Sequence, residues 1–169
     1  MRGLRAAFVE AVQAEDFTCF KFVDETSTNL TYCRCYAHTG GGQRAHQATP
    51  LHGGPNVTLI TALTPSGLQA AMTGSGAVNG DVFTAYLDQV LGPTLVPGDV
   101  VVPDNLPAHK VAGLAELVKA RGAHLLYLPP YSPDFNPIEL AFSKLKTGLR
   151  TAQARTRDAL ETVTQTTTE

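Results

Sequence analysis

The sequence has no run approaching the roughly 18 consecutive apolar residues that a membrane-spanning helix needs, so nothing in it asks for a bilayer. Its opening, MRGLRAAFVEAVQAED, carries too many acids and too little apolar length for a secretory signal. Cysteine is scarce: Cys19, Cys33 and Cys35 form an odd set without a disulfide framework, which agrees with a reducing, cytoplasmic setting. A positive excess is missing too. The 169 residues carry a formal net charge of −2, which excludes a polycation that holds nucleic acid by bulk charge alone. No internal repeat or linker divides the chain, and 43% hydrophobic with 17% charged residues suit a single domain with a proper core.

What is present is unevenly placed. Between Phe142 and Arg157 stand Lys144, Lys146, Arg150, Arg155 and Arg157 with no acid among them, a basic helix face able to meet phosphate or simply to be solvated. Leu4, Ala7, Phe8, Ala11 and Val12 predict a helix from Arg2 to Glu15. The stretch FTCFKFVDE alternates, with Val23 on one side and Phe20, Phe22 and Asp24 on the other, and predicts a strand ending near Asp24. NLTYCRCYA reads as a second strand, residues 38–54 as a long connection, and NVTLITALTPSGLQAAMTG as two extended segments about a Pro-Ser-Gly turn.

Further on, helices alternate with short strands. Val82, Phe83, Tyr86, Leu87 and Val90 predict a helix from Asn79 to Leu91, and GDVVVPDN a buried strand ending at Asp104. A helix is expected from His109 to Arg121, stopped by Gly122, then a strand in AHLLYLPP broken by prolines. The next helix starts at Pro137, with Asn136 as N-cap and Glu139 three residues later as in a capping box. Strands first and then strand and helix in turn indicate an α/β fold with a mixed sheet and helices on its faces.

In this layout Asp24 and Asp104 end strands and Glu139 opens a helix, so three acids from distant parts of the chain can converge outside one sheet edge. Three close carboxylates repel unless divalent cations neutralise them, and paired Mg²⁺ ions clamp an in-line phosphoryl displacement. Phosphodiester chemistry fits. Each acid also has an ordinary reading: Asp24 and Asp104 as turn formers, Glu139 as a cap, His109 as a cap or partly buried histidine. Cys33, Cys35, His38, His46 and His52 suggest zinc only weakly, because the Cys-x-Cys spacing is tight and no second pair follows. Asp134 reads as a turn former, and the glycines at 40–42 lack the lysine of a phosphate-binding loop.

Three segments, FVDET at 22–26, VVPDNLPAHK at 101–110 and LPPYSPDFNPIELAFSKLK at 128–146, strongly resemble the acid-bearing motifs of the IS-630 family of bacterial insertion-sequence transposases. These are mariner-related DDE superfamily endonucleases with a ribonuclease H-like fold, and the 34 residues between Asp104 and Glu139 match the family's spacing. The resemblance implies that Asp24, Asp104 and Glu139 bind Mg²⁺, or Mn²⁺ in its place, to cut DNA at the element's terminal repeats and join it to a TA-containing target. It also gives Glu25, Asn105 and His109 supporting roles, while Lys144, Lys146 and Arg150 are expected to hold DNA phosphates. Residues 17–157 are then the catalytic domain, 1–16 an N-terminal helix or linker remnant, and 158–169 a divergent tail. Family members carry a helix-turn-helix region ahead of the catalytic part; here a separately encoded partner half is expected, with self-association on nucleoid DNA. The alternative is an inactive transposase remnant that binds DNA or a partner transposase.

Overall fold

The computed structural model describes residues 2–54 and 56–168; Met1 and Glu169, which bound the two expected terminal segments, lie outside the described residues. Helix α1 (Arg2–Gln13) buries Phe8 against the sheet and ends slightly earlier than its periodicity predicts. The Asp16 carboxylate then accepts both the backbone N–H and the hydroxyl of Thr18, each at 2.9 Å. This caps a 3₁₀ turn over Phe17–Cys19, so the first strand begins at Phe20 rather than Phe17.

Strand β1 (Phe20–Thr28) runs past Asp24, because its antiparallel pairing with β2 (Val57–Thr64) continues to Thr28 opposite Val57. Its parallel neighbour β4 (Val100–Pro103) stops earlier, at Pro103 opposite Val23. Asp24 therefore stands where β4 leaves the sheet, not where β1 ends. A tight turn at Pro65 and Ser66 joins β2 to β3 (Gly67–Ser75), with Gly67 at φ 114°, a conformation that L side chains resist. The sheet closes with β5 (His124–Leu125), giving the order β3-β2-β1-β4-β5, antiparallel on one side of β1 and parallel on the other. The expected mixed sheet is present.

The expected strand in NLTYCRCYA is not: no strand occurs from Asn29 to Gly54. The carbonyls of Leu30 and Tyr32 both accept from Arg155 Nη1, at 2.9 and 2.8 Å, and the Leu30 N–H donates to Gly53. Side-chain and loop partners thus occupy the groups a sheet neighbour would need.

Helix α2 (Gly80–Ala85) starts at an Asn79 cap and passes into a π-helical stretch, Tyr86–Leu91, together covering the predicted helix. Helix α3 (Leu114–Lys119) is shorter than predicted. Pro107–His109 forms its own 3₁₀ turn, and Gly113, at φ 89°, separates it from the helix. Helices α4 (Ile138–Ala152) and α5 (Arg157–Thr168) complete the chain, and Leu160 of α5 belongs to the core.

Period-two alternation distributes these helices over the two faces of the sheet. Val23, Ile60, Ala62 and Val101 pack with Phe83, Tyr86, Leu87, Leu114 and Val118 on one face. On the other, Val57 and Leu59 meet Ile138, Phe142, Leu145, Leu149 and Leu160, while Phe20, Val100 and Val102 meet Phe8. Burying an aliphatic side chain contributes about 1.5–3 kcal/mol, so the four-residue stripe of α4 holds that helix in place far more firmly than its capping does. No helix among the described residues is long and apolar enough to cross a membrane.

Candidate active site

Neighbouring acids on β1 point to opposite faces. Asp24, on the α4 side, is 9% exposed; one carboxylate oxygen accepts the Glu25 N–H at 2.8 Å and the other accepts Nδ2 of Asn136 at 2.7 Å. Burial pushes the Asp24 pKa up to about 7; the Glu25 N–H opposes the rise, and the charges of Asp104, Glu25 and Glu139 add to it. That repulsion is the electrostatic mark of carboxylates gathered in one place.

Asp104 follows the last residue of β4, and its Oδ1 accepts the Leu106 N–H at 3.0 Å and pairs with His109 Nδ1. His109 is fully buried, stacked on the Phe83 ring at 4.0 Å, and its Nε2 stands 3.0 Å from Glu25 Oε2. The second contact lacks good hydrogen-bond alignment and acts as a charge contact. Burial alone would lower the His109 pKa, but the hydrogen bond to Asp104 and the close contact with Glu25, with the charges of both, raise it to about 9. Tyr127 donates its hydroxyl to the His109 carbonyl at 2.7 Å and holds the turn from below.

Glu139 opens α4 with its side chain exposed. Asp24, Asp104, Asn105, Asn136 and Glu139 line one cleft of about 370 Å³, walled by Leu106 and by the proline-rich loop with Tyr131. The three expected acids are therefore brought together. Of the supporting residues, Asn105 lines the cleft and ties the exit of β4 to the loop by donating to the Leu128 carbonyl at 3.0 Å. His109 and Glu25 do not line it; buried His109 stands behind Asp104, with half-buried Glu25 beyond it.

The predicted capping box is not formed. The Asn136 side chain serves Asp24 instead of the helix end, the cap position falls to Pro137 without a side-chain hydrogen bond, and the Glu139 N–H reaches the Asn136 carbonyl at 3.3 Å. A buried carboxylate gains more from a charge-assisted donor than an exposed helix end gains from a cap. Sequence reading missed this role of Asn136, and only its place within the longest motif pointed to it. It also missed Arg5, whose guanidinium donates to Ser132 and Asp134 and lies 4.1 Å from the Phe135 ring, bracing the proline-rich loop from α1.

Lys144, Lys146 and Arg150 lie on α4 outside the cleft. At about 3.6 residues per turn, Lys146 and Arg150 continue the stripe of Glu139, two and three turns on, whereas Lys144 falls on the opposite flank. Arg150 sits over the Tyr32 ring at 5.4 Å.

Hard oxygen donors from β1, the end of β4 and the start of α4 fit a hard divalent cation, and a cation would relieve the repulsion that raises Asp24. Among the described residues no three His, Cys, Asp or Glu groups stand close enough to enclose one ion. A cation placed here would have to complete its shell with waters and substrate oxygens.

Residues 20–161 match the DDE superfamily endonuclease family. No curated protein sequence matches the chain. Among solved structures it is similar to the Mos1 transposase paired-end complex with the left transposon end, at 16% identity and TM-score 0.73, over 98% of this chain and 52% of that one. The Mos1 strand transfer complex is similar at 17% identity and TM-score 0.73, over 95% of this chain and 50% of that one. The Mos1 catalytic domain with raltegravir and Mg is similar at 13% identity and TM-score 0.71, over 98% of this chain and 79% of that one. The chain thus spans about half the length of the first two chains it matches. At these identities the likeness establishes the fold, the ribonuclease H-like mixed sheet with its helices.

Proposed function

Because the chain belongs to the DDE superfamily endonucleases, we propose that it is a transposase catalytic domain of the IS-630 type, cutting DNA at an element's ends and transferring the freed strand to target DNA. What carries the reading is the convergence of Asp24, Asp104 and Glu139 on one open cleft, from three separate elements. Solved Mos1 complexes containing Mn and Mg, and a strand transfer complex, lend it support by fold likeness.

Asp24, Asp104 and Glu139 would hold Mg²⁺ or Mn²⁺, which when bound neutralises the charge developing on the attacking and leaving oxygens of the phosphodiester. The chain's own residues do the positioning. The Glu25 N–H and the Asn136 amide fix the Asp24 carboxylate, while His109 and the Leu106 N–H fix Asp104. Holding both acids rigidly before substrate arrives reduces the reorganisation the reaction must bear. Recognition of the terminal repeats is assigned to a helix-turn-helix partner half, and joining of two ends to self-association.

The test is a nicking assay on duplex DNA carrying the terminal repeats, with Mg²⁺ or Mn²⁺ and the helix-turn-helix half supplied. Asp104→Asn and Glu139→Gln should each abolish cutting while leaving the protein folded, as judged by circular dichroism. Cutting unaffected by either substitution sinks the catalytic assignment; no cutting by the wild type favours a DNA-binding remnant.

A further inference from the structure

The residue just before α4 does three things at once. Asn136 is 5% exposed; its Nδ2 donates to Asp24 Oδ2 at 2.7 Å, its carbonyl accepts the Glu139 N–H at 3.3 Å, and its own N–H donates to Pro133 at 3.0 Å. One side chain and one carbonyl therefore couple an acid of β1 to the turn that carries Glu139. The ionised Asp24 carboxylate can only accept, and the amide turns Nδ2 towards it, so that Oδ1 faces the other way. That Oδ1 is buried and has no hydrogen-bond partner within the protein, in a residue that lines the cleft beside Asp24, Asp104 and Glu139. Buried amide oxygens are satisfied in nearly all native proteins, so this one calls for a donor that arrives with a ligand.

Building on the reading of the cleft as a divalent-cation site, we propose that Asn136 is a positioning residue: it locks the Asp24 carboxylate to the start of α4, and its Oδ1 accepts a hydrogen bond from a water of the hydrated cation. Mg²⁺ gives up its waters reluctantly, and those waters are strong donors. Partners of this outer kind govern metal affinity about 10- to 100-fold. The role is distinct from that of the three acids, since Asn136 orients a carboxylate and a water without supplying charge.

The experiment measures Mn²⁺ affinity by electron paramagnetic resonance without DNA, on the wild type, Asn136→Ala and Asn136→Ser, with circular dichroism confirming the fold of each. Asn136→Ala should weaken Mn²⁺ binding about 10- to 100-fold. Asn136→Ser, whose hydroxyl can donate and accept, should recover part of the loss. Equal affinity in folded Asn136→Ala and wild type overturns the proposal, as does a wild type that binds no Mn²⁺ at millimolar concentration. If both variants fail to fold, the side-chain amide resonances of Asn136 in the wild type decide: they should shift on Mg²⁺ addition, and resonances unmoved at saturating Mg²⁺ overturn the assignment. Because binding is read without DNA, a chain that binds Mn²⁺ through Asn136 yet never nicks refutes the functional reading and leaves this one standing.

Discussion

One histidine carries much of the local electrostatics. His109 places one ring nitrogen on Asp104 and the other beside Glu25, with its side chain at 0% exposure between an acid at the exit of β4 and one on β1. His109→Ala removes the ring stacked on Phe83 and leaves two carboxylates without their counter-charge. Breaking a buried pair from one side costs about 3–5 kcal/mol. Urea denaturation of His109→Ala should show a loss of that order, and Asp104→Asn a smaller one, because the amide still reaches the imidazole. A loss below about 1 kcal/mol for His109→Ala would mean that solvent already neutralises the two acids. Alternation along β1 puts Asp24 and Glu25 on opposite faces, but only the family resemblance assigned Glu25 a supporting role. The meeting of Glu25 with His109 was not legible, because it depends on a turn after β4 that the sequence reads as the start of a helix.

The elements that were legible are those whose hydrophobic period is long and unbroken: β1, the hairpin of β2 and β3, and α4 with its stripe of Ile138, Phe142, Leu145 and Leu149. What failed was decided by tertiary partners. NLTYCRCYA has strand-like residues, yet Arg155 claims its carbonyls from the far end of the chain. The bracing of the proline-rich loop by α1 is of the same kind. Arg5 bonds Asp134 and Ser132, and Phe8 stacks on Phe135 at 5.6 Å, so a helix outside the family match holds the loop that walls the cleft. Arg5→Ala should therefore lower nicking while moving the thermal midpoint little, since exposed ion pairs contribute little to global stability. The pH dependence has a definite sign. The hydrogen bond from Arg5 lowers the Asp134 pKa, so the tether is present above the ordinary carboxylate range and is lost as pH falls through the lowered value, below about 4. Limited proteolysis in α1 by an acid-active protease should accelerate in that window for the wild type and be fast already at higher pH in Arg5→Ala. Equal cleavage of both proteins at every pH would remove Arg5 from the tether.

At the scale of the whole molecule the question raised by the proposed function is how a chain of net charge −2 would engage DNA. Bulk attraction is excluded, so the positive charge has to be local and aligned with the cleft. Helix α4 supplies that alignment: its buried stripe faces the sheet, Glu139 opens on the flank that meets the cleft, and Lys146 and Arg150 extend the same flank. DNA held with a phosphate at Glu139 would run along that row. Lys144, on the opposite flank, serves as an internal control of equal charge and similar position in sequence. Each phosphate contact releases condensed counterions, so losing one weakens binding to any sequence and lowers the slope of log K against log salt by about 1. Lys146→Ala is expected to do this, and Lys144→Ala to do much less. Arg150→Ala is a less clean probe because its guanidinium also lies over Tyr32 and its loss would loosen the segment after β1. Fluorescence anisotropy on one duplex across a salt series measures all three. Equal effects of Lys144→Ala and Lys146→Ala would show that binding follows net charge alone, and a larger effect of Lys144→Ala would move the DNA track to the other side of α4.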